Sequence, residues 1–197
     1  MILSGGEIEA LSRKAARGSG LAWGLAEEAG RGVRWLEMRG LAGADALAEV
    51  LREKRPGAPI QNGQTWIGDC PIYVGATLAD RAADIARTGV QVRAMVGAIL
   101  LLPALALVAR RRTLMLAWSN GRGFLGPGEV WIDGEVPQGP LQARPGDVRS
   151  GVRLPEVPPR AVPADVLAAL NTAAERTYAP AHIGYESGAG AGQTDND

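Results

Sequence analysis

Four residues along one stretch of the chain have the chemistry to hold an anion. Trp23, Glu27, Arg31 and Arg34 follow one another at steps of four, four and three, so an unbroken helix stacks them on one side. An indole, a carboxylate and two guanidiniums on a common face offer stacking together with a bidentate grip on a carboxylate or phosphate. The ordinary reading of the same residues is a solvated face on which Glu27 and Arg31 pair at i, i+4. Glu27 and Glu28 are adjacent, so on a helix they point about 100° apart and do not converge as a catalytic carboxylate pair must.

Other residues with chemical potential are less well placed. Gly121, Gly123 and Gly126 make a GxGxxG directly after a strand candidate, the spacing that brings backbone close to a pyrophosphate at a helix N-terminus. Pro127 and Gly128 come next, then the strand-like Glu129-Val130-Trp131-Ile132, so no helix follows to hold phosphate; the expectation is a hairpin loop and no dinucleotide. His182, the chain's one histidine, lies beyond the last helical pattern near Tyr178, Pro180 and Tyr185, with no orienting partner or nucleophile beside it. Cys70 precedes Pro71 without a basic neighbour and reads as a buried structural thiol. One cysteine and one histidine cannot build a Cys/His zinc site, and Asp195, Asn196 and Asp197 sit on an ending too free to fix a metal's geometry. No catalytic residue is assigned, and neither a metal nor a cofactor is expected.

Composition bounds the class. The 197 residues suit one domain with a real core; 46% are hydrophobic and 21% charged, as in ordinary globular proteins. Lys plus Arg and Asp plus Glu both number 21, which leaves no positive excess for phosphate-backbone contacts, so nucleic acid is not an expected partner. A lone cysteine and the absence of a basic, apolar leader point to a cytoplasmic protein. The apolar run from Ala94 to Ala109 is 16 residues long with Pro103 inside it, short of the roughly 20 a spanning helix needs, and is read as core.

The elements that must position these residues can be read in turn. Ser4 and Glu7 match a capping box that starts a helix from about Gly5 to Arg17, with Ile8, Leu11 and Ala15 on one face. A second helix runs from about Leu21 to Arg39 and Gly40 stops it; a third, begun near Asp45, ends before Pro56. Thr65-Trp66-Ile67 and Ile72-Tyr73-Val74 read as strands and Ala76 to Arg87 as a helix. The apolar run divides at Pro103 into a strand, Val96 to Leu102, and a short helix. Thr113 to Trp118, Glu129 to Ile132 and the residues around Val152 read as strands, residues 137–163 as a proline-rich loop, and Asp165 to Thr177 as a last helix. The expected fold class is α+β: an N-terminal three-helix segment packed with a mixed sheet in one domain over residues 1–186, followed by a disordered glycine-rich tail over 187–197.

Two resemblances add to this. Glu7 to Leu11, Lys14 to Gly18, Trp23 to Gly30 and Arg34-Trp35-Leu36, with the ending Arg176 to Pro180, Gly188 to Gly192 and Asp195 to Asp197, resemble a bacterial family of unknown function. That resemblance implies no mechanism. Glu7 to Gly40, with Ala26-Glu27 and Glu37-Met38-Arg39-Gly40, is similar to the helical start of the malate and lactate dehydrogenases that bind NAD without a Rossmann fold. In those enzymes a Ser-His-Gly shortly after the Arg-Gly brings the catalytic histidine, whereas Arg39-Gly40 here runs into Leu41-Ala42-Gly43-Ala44-Asp45; the resemblance implies a relative without that acid/base chemistry.

The expected function is that of a non-catalytic small-molecule-binding or accessory protein of cytoplasmic metabolism. Its partner would be a small anionic metabolite held by Trp23, Glu27, Arg31 and Arg34. The alternatives are an enzyme acting on such a metabolite and a structural subunit of a homo-oligomer.

Overall fold

The computed structural model describes residues 2–53, 59–93 and 95–177. Helix α1, Gly5–Gly18, begins with the expected capping box: Glu7 N–H donates to Ser4 Oγ at 3.2 Å and Ser4 N–H to Glu7 Oε2 at 2.7 Å. Hydrogen bonding from Ser4, first through its backbone N–H and then through its side chain, holds the Glu7 carboxyl below its ordinary pKa. Helix α2, Trp23–Glu37, buries Ala26, Val33 and Leu36, and Gly40 beyond it takes φ +70°, the left-handed stop expected of a glycine there. Helix α3 is Gly43–Glu53. Helix α7, Ala164–Glu175, closes against α1.

Glycine makes the helix contacts close. A Cβ on Gly30 of α2 would lie 2.8 Å from the carbonyl oxygen of Glu9, and one on Gly18 would lie 1.9 Å from the carbonyl oxygen of Ala173 in α7. Backbone therefore rests against backbone where α1 crosses both neighbours.

The middle of the chain departs from two strand expectations. Ile72-Tyr73-Val74 lies inside helix α4, Pro71–Asp80, despite its β-branched residues: Pro71 occupies the first turn, and Val74 and Leu78, four apart, are both fully buried. The helix expected over Ala76 to Arg87 is two, α4 and α5, Ala82–Thr88, broken at Arg81. Val96 to Leu102 is not a strand either. Gly97 has φ +68°, and a 3-10 turn, Ala98–Leu101, leads directly into helix α6, Leu102–Ala109, with Pro103 in its first turn as expected. The 3-10 turn packs against α2, α3, α4 and α6, so its backbone is flanked by helices and turns its hydrogen bonds inward. Most of the described part of the apolar run is thus core, and among the described residues no helix is long and apolar enough to cross a membrane.

The described residues form an eight-stranded sheet: β1 (Ile60–Asn62), β2 (Thr65–Ile67), β3 (Val90–Val92), β4 (Leu114–Trp118), β5 (Gly121–Gly126), β6 (Glu129–Gly134), β7 (Leu141–Pro145) and β8 (Val152–Arg153). Its order is β1-β2-β3-β7-β4-β5-β6-β8, mixed because β2 and β3 run parallel while the other pairs are antiparallel. Helices α5 and α6 pack on the sheet, and α1, α2, α3 and α7 form a further layer beyond α4, the 3-10 turn and α6. The fold is α+β, with the three leading helices and mixed sheet expected.

Two corrections fall within the sheet. The GxGxxG is not a hairpin loop: it is strand β5 itself, paired on both edges. Its glycines make room for an indole. Trp118 donates Nε1–H to the Glu135 carbonyl at 2.8 Å, and a Cβ on Gly121 would lie 2.7 Å from that nitrogen, one on Gly123 3.3 Å from the ring. The loop expected over 137–163 contains β7, which sits near the centre of the sheet between β3 and β4.

Candidate functional site

The C-terminal end of α1, the N-terminal end of α2 and the C-terminal end of α7 meet around a concavity of about 690 Å³. Its walls carry Arg13, Lys14 and Arg17 from α1, Trp23 and Glu27 from α2, and Arg176 just past α7. Four cations therefore face one carboxylate, in a chain whose formal net charge is zero. The close crossings at Gly18 and Gly30 bring these three helices together, and Gly20, at φ +98°, turns the chain from α1 into α2.

Individual geometries show what the site can do. Trp23 is 63% exposed, a large ring left in water at the first residue of its helix. The Arg17 guanidinium sits 5.2 Å from that ring's centroid and donates Nη1–H to the Leu21 carbonyl at 2.9 Å, so one cation is held against the indole by a second anchor. The N-cap, Ala22, makes no side-chain cap hydrogen bond. Unsatisfied N–H groups at such a start carry partial positive charge and add to the side-chain cations. Stacking on an indole beside several guanidiniums suits an anion with a planar or apolar part.

The structure separates the four residues proposed from the sequence. Trp23 and Glu27 both line the concavity. Arg31 lies further along α2, its Nη2–H donating to Glu28 at 2.6 Å and its Nη1 3.7 Å from Glu27. The Glu28 hydrogen bond, aided by the nearby carboxylates, holds its pKa above the ordinary guanidinium value. Arg34 donates to Glu9 of α1 at 3.0 Å. Trp23 and Arg34 are eleven residues apart, about 16 Å along a helix axis, too far for one small ligand to touch both. Arg13, Lys14, Arg17 and Arg176 were not singled out for binding, because their place beside Trp23 depends on how α1 and α7 cross α2. The one local signal was the run Arg13, Lys14, Arg17, which reads equally as cations complementing a helix C-terminus.

Other candidates find structural places. Cys70 is buried at the N-terminal boundary of α4, a free thiol as read. Among the described residues no three His, Cys, Asp or Glu side chains gather as a metal could use them. His182, Tyr178, Tyr185, the glycine-rich tail and the closing Asp195, Asn196 and Asp197 lie outside the described residues.

A second charged cluster joins loop to helix. Glu37, fully buried at the end of α2, accepts from Ala44 N–H at 2.8 Å, in the first turn of α3, and from Arg160 Nη2–H at 3.3 Å. Arg160 also pairs with Asp45. Arg39 is stacked 4.1 Å from the Trp35 ring centroid and donates to Glu156 at 3.1 Å; its burial lowers its pKa, against the opposing pull of Glu156. These bonds, with Val157 N–H donating to the Met38 carbonyl at 2.7 Å, tie the segment before α7 to the α2–α3 corner. They build the frame and leave little charge for a ligand.

Known proteins show only partial similarity to this chain. No curated protein matches it. Among solved structures it is similar to malate dehydrogenase from Entamoeba histolytica, at 14% identity and a TM-score of 0.44, over 74% of this chain and 49% of that one. The chain thus spans about half the length of that enzyme. The resemblance to a family of unknown function is borne out for the first part of the chain: residues 3–87, from the start of the capping segment through most of α5, match the family described as Protein of unknown function (DUF3726).

Proposed function

We propose that this chain is a cytoplasmic protein that binds a small anionic metabolite, without converting it, in the concavity between α1, α2 and α7. The observation that carries this reading is the gathering of Arg13, Lys14, Arg17 and Arg176 against the lone carboxylate of Glu27, beside the exposed Trp23 ring. Cations on an exposed surface normally disperse, because like charges repel; four converging on one hollow have a use for the field they create. Trp23 and Glu27 are kept from the sequence-based site, Glu27 orienting the cations or accepting a ligand hydroxyl. The single buried cysteine fits a reducing compartment.

The test is a titration of the full chain with citrate, inorganic phosphate and a nucleoside monophosphate, followed by thermal shift and tryptophan fluorescence. At least one of them should raise the melting temperature by mass action and lose affinity as salt rises. The double replacement Arg13→Ala and Arg176→Ala should weaken that anion tenfold or more, the order of one or more lost charge-assisted hydrogen bonds. Arg34→Ala, which removes a guanidinium already bonded to Glu9, should leave binding within twofold. Absence of saturable binding by all three anions, or affinity untouched by the double replacement, rejects the proposal.

A further inference from the structure

The basic concavity between α1, α2 and α7 lies where the described chain stops. Thr177, the last described residue, lines it together with Arg176, so residues 178–197 continue from its wall. That continuation carries charge of one sign. All 21 Lys and Arg residues lie at or before Arg176, whereas Glu186, Asp195 and Asp197 lie beyond it. These three carboxylates bring the chain to its formal net charge of zero. Tyr185 sets a planar ring beside the first of them, the pairing that an indole among guanidiniums suits, and residues 187–194 carry nothing bulkier than Gln193.

The hollow, in turn, lacks carboxylates. Among the described residues neither Arg13 nor Arg176 forms a salt bridge, and Glu27 is turned to Arg31 at 3.7 Å. Arg17 is held by the Leu21 carbonyl and the Trp23 ring, neither of which neutralises it. Reach is ample: from Thr177 an extended chain covers at most about 30 Å to Glu186 and about 60 Å to Asp195, several times the width of a hollow of about 690 Å³. Attachment makes the encounter intramolecular, and a short connection gives an effective concentration on the order of millimolar. Another basic run, Arg110 to Arg112, follows α6, which packs on the sheet in a different layer from α7.

We propose that residues 185–197 fold back into the basic concavity, setting Glu186, Asp195 and Asp197 against Arg13, Arg17 and Arg176 with Tyr185 beside Trp23, and that an anionic metabolite binds by displacing them. This rests on the anion-binding reading of the same site and adds its regulation: the chain carries its own competitor.

The test titrates citrate, inorganic phosphate and a nucleoside monophosphate into the full native chain and into the triple variant Glu186→Gln, Asp195→Asn and Asp197→Asn, and follows the backbone amides of residues 185–197 by NMR. The triple variant should bind at least one of these anions threefold or more tighter than the native chain does, the low end for three exposed ion pairs removed from competition. In the native chain the amides of Glu186, Asp195 and Asp197 should shift on saturation with that anion. They should shift also on the double replacement Arg13→Ala and Arg176→Ala, and stay in place on Arg111→Ala with Arg112→Ala. Saturable binding of equal strength in both chains, or amides that ignore Arg13→Ala and Arg176→Ala, overturns the proposal and leaves the anion site standing. No saturable binding by either chain rejects the anion site as well. Self-association of the native chain in sedimentation that the triple variant abolishes also overturns it, by placing these carboxylates in the hollow of a second copy.

Discussion

Replacing Arg160 with methionine should destabilise the protein by about 3 kcal/mol. The argument starts from Glu37, whose side chain is wholly out of water yet charged, and whose two supports are the Ala44 N–H at 2.8 Å and the Arg160 guanidinium at 3.3 Å from each carboxylate oxygen. Stripping one partner from a buried pair generally costs about 3–5 kcal/mol, because the other charge is left without compensation. Here the lower end applies. Arg160 is 27% exposed, so water already screens part of the attraction, and the positive end of α3 continues to favour the carboxylate through Ala44. Asp45 also loses its partner, but it is 37% exposed and adds less than about 1 kcal/mol. For a chain of this size about 3 kcal/mol corresponds to a fall of roughly 6–12 °C in melting temperature. Urea denaturation and thermal scans of the native chain, Arg160→Met, Glu37→Gln and the double variant form the assay. Neutralising Glu37 should recover much of the loss, giving a coupling of at least about 1.5 kcal/mol between the two sites. An Arg160→Met variant within 1 kcal/mol of the native chain, or a double variant as unstable as the sum of the singles, would refute the dependence of Glu37 on Arg160.

Two further outcomes follow from the helical layer. Gly30→Ala should cost about 1–3 kcal/mol, since its Cβ would press on the Glu9 backbone at 2.8 Å, whereas Gly24→Ala on the same helix meets nothing within 4 Å and should stabilise by about 0.5 kcal/mol; urea midpoints of the two variants separate crowding from chain entropy. The capping box makes the start of α1 sensitive to acid. The Glu7 pKa is lowered in the fold, so its contribution is present above the ordinary carboxylate range and fades as pH falls through the lowered value; the stability gap between Glu7→Gln and the native chain should close on acidification, and a gap constant with pH would contradict the assignment.

Local chemistry carried most of the helical reading. Ser4 with Glu7, Gly40, Asp45 and the residues after Pro163 mark helix boundaries through capping, positive φ and proline, all decided within a few residues. The misreadings arise where distant packing decides. Ile72, Tyr73 and Val74 prefer strands, but burying Val74 and Leu78 on one face rewards a helix. The glycines of β5 resemble a phosphate loop until the Trp118 ring occupies the space their side chains would have filled. Strand β7 ends in Pro145 amid prolines, and its central place is set by the register of β3 and β4, which no window around Leu141 contains. The candidate site divides the same way. Trp23 and Glu27 were legible from helical spacing; Arg13, Lys14, Arg17 and Arg176 join them only through the crossing of three helices.

The insertion of β7 between β3 and β4 also bears on the order in which the molecule can be completed. Strands β1 to β3 and β4 to β6 are made first, yet the two sets share no edge until residues 141–145 arrive to bridge them. At the far side α1, made before any of these strands, meets α7, near the last of the described residues. The stretch matching the family of unknown function therefore has its outer boundaries drawn by chain synthesised long after it. Such early-to-late pairing must wait on loop closure and slows folding. During that wait the floor of Gly18 against Ala173, on which the basic concavity rests, does not yet exist. The basic hollow therefore takes shape only after α7 has been made and has docked on α1.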